Sequence, residues 1–94
     1  MKITPDLYLL HHMYEKHGYN TAHFGELVEE LEGIMSKPQI LGALNTIGDW
    51  GLLEWEYGET KPGQAGRLYR LDPKYATRYL FESKPLNLAE CEVG

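Results

Sequence analysis

The chain has one cysteine, no long apolar run and too little positive charge for its negative charge, and each shortage excludes something. Cys91 alone cannot close an internal disulfide or supply a multi-cysteine zinc site. No stretch approaches the roughly 18 consecutive apolar residues of a membrane span. The opening Met1-Lys2-Ile3-Thr4-Pro5 lacks the apolar core of a signal peptide. These features predict a soluble, cytoplasmic protein with no membrane partner. There is no phosphate-cradling glycine loop, and no nucleophile is paired with a base and an orienting group. An enzyme is therefore not expected, and neither is a cofactor.

Nine Lys and Arg stand against fourteen Asp and Glu, for a net charge of -5. Domains that bind nucleic acid are usually basic, because affinity comes largely from phosphate neutralisation. The deficit is uneven along the chain. Up to Met35, Lys2 and Lys16 face Asp6, Glu15, Glu26, Glu29, Glu30 and Glu32, so this part carries four net negative charges. From Ser36 to Leu71, Lys37, Lys61, Arg67 and Arg70 balance Asp49, Glu54, Glu56 and Glu59.

Ninety-four residues predict a single domain, 1–94, of modest stability. Thr4-Pro5-Asp6 starts a first helix within 1–18, and Gly18 ends it. Leu7, Leu10, His11 and Tyr14 form its apolar face, leaving Leu9 and Met13 to cover a second surface such as a neighbouring subunit. Residues 22–51 read as two helices joined by a tight turn. The first of these lies within Ala22 to Glu32, capped by Thr21 or His23, with Ile34 as a buried plug in the turn. Its glutamates 26, 29, 30 and 32 form an outer surface. Ser36 caps the next helix, in which Leu44 and Ile47 fall within about 40° of Ile40. Gly51 ends it and hands over directly to a strand. Residues 52–71 alternate as a hairpin, with Gly58 to Gly66 read as an unusually long loop at its tip. Asp72-Pro73 starts a last helix over 72–83, which Lys84-Pro85 breaks, and 84–94 form a tail without strong pattern. The fold class expected is mainly α with a small antiparallel β-hairpin wing, a winged helix-turn-helix.

The stretch Leu44-x-x-Ile47-x-x-x-Gly51-Leu52, followed by Gly58-Glu59-x-Lys61-x-Gly63-x-x-Gly66-Arg67-x-Tyr69-Arg70-Leu71, resembles winged-helix transcriptional regulators of the MarR and PadR type. The resemblance implies a homodimer on duplex DNA, with recognition helices in major grooves and wings along the backbone. Carried onto this chain, the contacting positions are Lys37, Gln39, Asn45 and Thr46 on the helix and Lys61, Gln64 and Arg67 on the wing. The sequence departs from the pattern at Gly42, where a basic residue is typical. Four cations per protomer in this half bound the salt dependence of a dimer at a slope of about −7. The second reading is a winged helix that binds another protein. The acidic second helix and the small, uncharged face of the third favour it.

Three further groups have plainer readings beside sharper ones. His11, His12, Glu15, His17 and His23 make a loose set, so no metal is expected, and His11 reads as an interior histidine. Trp50, Trp55 and Tyr57 read as core and cross-strand pairs rather than a ligand pocket. Tyr75, Tyr79, Leu80 and Phe81, with Leu9 and Met13, predict a homodimer interface of first and last helices.

Overall fold

A computed structural model describes residues 1–83 and 86–94. The helix-breaking role read for Lys84-Pro85 lies outside the described residues. Four helices pack with a three-stranded antiparallel sheet and a separate two-stranded pair.

Local capping sets the helices. Helix α1 runs Pro5–His17, with Thr4 Oγ1 accepting from Leu7 N–H at 3.4 Å. Gly18, at φ +60°, turns the chain out of it. Helix α2 runs Phe24–Glu30 and is capped by His23, whose Nδ1 accepts from Glu26 N–H while the Glu26 carboxylate accepts from His23 N–H. Helix α3 runs Lys37–Asp49 behind a reciprocal box: Ser36 Oγ accepts from Gln39 N–H, and Gln39 Oε1 accepts from Ser36 N–H at 2.9 Å. Gly51, at φ +78°, ends this helix region, and Leu52 N–H reaches back to Ile47 C=O. Helix α4, Tyr75–Glu82, begins where the Asp72 carboxylate accepts from Lys74 and Tyr75 N–H.

Strands β1 (Lys2–Ile3) and β5 (Glu92–Val93) pair in parallel and tie the two ends of the described chain together. Strand β2 (Ala22–His23) precedes α2 and pairs with β4 (Gln64–Leu71), which pairs in turn with β3 (Leu53–Lys61). The sheet order is β2-β4-β3, so the returning strand is central.

The structure corrects several expectations. The hairpin has no long tip. Both strands run on to Lys61 and Gln64, which face each other across Pro62-Gly63. Proline followed by a glycine at φ +77° is the signature of a type II turn. A register shift between Glu59 and Lys61 leaves Thr60 as an extra residue, which adds the twist that this turn type lacks.

Leu9 and Met13 are buried within the protomer, 0% and 1% exposed, so they cannot cover a partner. The reason is that α1 is covered on more than one side: α3, β4 and the short 3₁₀ turn Leu88–Glu90 all pack on it. Its buried surface is therefore broader than one stripe, while Tyr14 lies exposed. Ile34 is not a plug; it is 44% exposed, and Met35 fills that place. The second helix is shorter than expected because Ala22 and His23 are taken into the sheet. The tail is anchored by Leu88, which is buried, and by β5.

Candidate nucleic-acid interface

Helix α3 turns Ile40, Ala43, Leu44 and Ile47 into the core and leaves Lys37, Pro38, Gln39, Leu41, Gly42, Asn45 and Asp49 exposed. The hairpin stands beside it. Residues Trp55, Tyr57, Arg67 and Tyr69 share one face of the hairpin, because Trp55 pairs with Tyr69 and Tyr57 with Arg67. That face is core at its base, where Leu53, Leu71 and Tyr69 are buried, and protrudes beyond the core farther out.

Two adjoining clefts separate hairpin and helices. One, of about 520 Å³, is lined by Phe24, Leu41, Thr60, Lys61, Gln64 and Arg67 among others. The second, of about 580 Å³, holds Asn45, Asp49, Glu54, Trp55 and Arg67. Arg67 and Tyr69 line both. Of the residues singled out from sequence, Lys61, Gln64 and Arg67 therefore meet in one cleft, and Asn45 meets Arg67 in the other. Lys37, Gln39 and Thr46 line neither. The Gln39 carbonyl is engaged in the α3 cap, and the Thr46 hydroxyl donates to Gly42 C=O at 2.9 Å.

Arg67 is the hub of the arrangement. Its guanidinium lies 4.1 Å from the Trp55 ring centroid, a cation–π distance. The nearby Tyr69 and then Tyr57 hydroxyls favour its charged form and hold its pKa above the ordinary arginine value. It is thus a cation stacked on an aromatic ring yet open to solvent. Arg70, on the opposite face, is committed to Glu54 by a 2.9 Å ion pair. This corrects the cation inventory: Lys37, Lys61 and Arg67 are the basic side chains of residues 36–71 that meet no carboxylate among the described residues.

Trp55 and Tyr57 are not core. They are 46% and 71% exposed and pack edge to face at 5.3 Å. Trp50 is also exposed and rests on Tyr79. Sequence reasoning missed Leu41 and the exposure of Trp55. Reading Pro62-Gly63 as a two-residue turn pairs Lys61 with Gln64 but would set Tyr57 opposite Leu68; the extra residue at Thr60 brings Tyr57 opposite Arg67, and composition does not signal it.

The second helix is less repulsive than its glutamates suggest. The Glu30 carboxylate turns to α1 and accepts from both His12 Nε2 and His17 Nε2 at 2.9 Å. Partial burial acts to raise its pKa, but the two imidazole bonds and charges outweigh this and hold it below the ordinary glutamate value. A carboxyl whose folded pKa is depressed contributes stability above its unfolded value, about 4.3, and loses it as pH falls through the lower folded value. Glu30→Gln should lower the melting temperature at pH 6, and the gap to wild type should narrow as pH falls below the ordinary glutamate value of about 4.3. Thermal unfolding across pH 3–7 checks this, and a gap that persists unchanged at acid pH contradicts it. His11 is buried elsewhere, against Ser83 Oγ at 2.7 Å. The Ser83 proton goes to Leu80 C=O, so His11 Nε2 is the donor, in keeping with an interior histidine.

Comparison with protein-family models, with curated proteins and with solved structures finds no match to this chain.

Proposed function

We propose that the chain is a winged helix-turn-helix domain that binds duplex DNA as a homodimer, with α3 as recognition helix and the β3–β4 hairpin as wing. The observation that carries the reading is the meeting of Lys61, Gln64 and Arg67 in one cleft alongside the exposed face of α3. The topology supports it. Two helices joined by a short turn feed a hairpin whose return strand is held by a strand preceding the first of them. Lys37 and the amide of Gln39 sit at the N-terminal end of α3, the part of a recognition helix that reaches base edges. Leu41 offers apolar contact of the kind that suits a thymine methyl.

Dimerisation uses α4 and the far end of α1 in this reading. Tyr75 and Phe81 are exposed, the latter 75%, and Phe81 shares a small cleft with exposed Tyr14 and Tyr19. Three cations per protomer lower the bound on the salt slope of a dimer to about −5.

The protein-interaction reading has its own support in Asp49, an exposed acidic residue that lines the second cleft. One experiment separates the two. Selection from randomised duplexes, followed by anisotropy titration at rising salt, should yield an enriched palindrome and a log–log slope no steeper than about −5. No enriched sequence and no binding at low salt would overturn the DNA assignment.

A further inference from the structure

Three of the four histidines meet two carboxylates where the end of α1 lies against α2. His17, Glu26 and Glu30 offer ligand atoms that all lie within 4.8 Å of one another. His12 Nε2 adds a nitrogen 2.9 Å from the same Glu30 oxygen that His17 approaches. His12, His17 and Glu30 are largely buried, with side chains 16%, 12% and 18% exposed, while Glu26 is more open.

We infer that His12, His17, Glu26 and Glu30 form a binding site for one zinc ion. Two imidazole nitrogens and two carboxylates are a ligand set that suits Zn²⁺, in the number its tetrahedral shell requires. Bonds of about 2.0–2.2 Å place ligand atoms roughly 3.4 Å apart, so His17, Glu26 and Glu30 close by side-chain shifts of about an ångström, while His12, outside that group, moves farther to join them. Helix geometry permits this. Glu26 and Glu30 stand at i, i+4 on one face of α2, and His12 and His17 aim Nε2 at a common point. On binding, each ring releases to solvent the Nε2 proton that it shares with Glu30, so that the Nε2 lone pair meets the ion and the remaining proton sits on Nδ1. His23 is a positioning residue. Its Nδ1 accepts from Glu26 N–H, so its Nε2 carries the ring proton, and that nitrogen lies 3.4 Å from the Glu26 carboxylate. The most open ligand, Glu26, marks the route of entry. The ion would fasten α1 to α2 and so fix the helix that α3 packs against.

The test uses the full chain stripped of metal with a chelator, then titrated with ZnCl₂ by calorimetry and thermal unfolding. The expected result is one ion per chain and a rise in melting temperature that chelator reverses. His17→Ala and Glu26→Gln should each weaken binding at least about tenfold, whereas Glu15→Gln, at an exposed position on α1, should leave it unchanged. If His17→Ala fails to fold, the wild-type protein still decides: Co²⁺ should give the intense visible bands of a tetrahedral site and shift the His12 and His17 ring nitrogen resonances. No heat and no thermal shift with excess zinc overturns the inference. So does binding that survives both substitutions, or a Co²⁺ spectrum typical of the hydrated ion.

Discussion

Leu9→Ala should destabilise the domain by about 3 kcal/mol or more, the cost of emptying a fully buried leucine site. Leu9 is 0% exposed in a helix covered by α3, β4 and the 3₁₀ turn, so its neighbours cannot readily collapse into the space. A 94-residue domain has a total stability on the order of 5–14 kcal/mol, so this loss is a large share of it. The melting temperature should drop by roughly 12–24 °C. The measurement also decides where Leu9 acts. A residue in the protomer core destabilises equally at all protein concentrations. A residue in a dimer interface gives a loss that changes with concentration. Thermal unfolding at two concentrations a hundredfold apart should show the same shift, and a concentration-dependent shift would return Leu9 to an interface.

Arg67→Ala should do the reverse, weakening duplex binding about tenfold or more while sparing the fold. The side chain is exposed, so little packing is lost, and its stacking on Trp55 is worth about 0.5–1 kcal/mol at such a site. A charge-assisted hydrogen bond to phosphate is worth about 1.5–3 kcal/mol, and a dimer loses two of them. The slope of log K against log salt should become shallower by about 2 for the dimer. Lys37→Ala should act in the same direction, again without a change in melting temperature. Arg70→Ala serves as the control, since Arg70 already faces Glu54. Loss of affinity on Arg70→Ala equal to that on Arg67→Ala would remove the special place given to Arg67.

The parts of this fold that sequence revealed are those decided within a few residues. Thr4 and Ser36 cap helices because a hydroxyl meets an N–H three positions on, and Gly18 and Gly51 stop them with a backbone geometry that other residues resist. The parts it concealed depend on distant pairing. Ala22 and His23 are strand only because Tyr69 and Leu68 lie opposite them. Gly58 and Gly66 suggest a loop by composition, yet they face each other in a continuous ladder. Gly58 has a reason to be glycine there, because a Cβ would come within 2.6 Å of the Leu68 side chain. Leu9 and Met13 were hidden because a helix enclosed by several elements buries more than the stripe that periodicity assigns to one. The candidate interface follows the same division. Lys61, Gln64 and Arg67 were visible as polar hairpin side chains, but their shared cleft and the stacking on Trp55 required the register. The grouping of His12, His17 and Glu30 has no sequence signature, since the histidines are five apart and the carboxylate lies on another helix.

The proposed role depends on one surface formed jointly by the start of α3 and the outer half of the hairpin. Amide chemical-shift mapping during titration of the labelled protein with a duplex measures that directly. The account predicts the largest changes in residues 37–45 and 61–67, moving together with one saturation curve, while the faces of α4 and β5 stay fixed. Changes centred on α4 or on the β1–β5 end, with 37–45 and 61–67 unmoved, would contradict it.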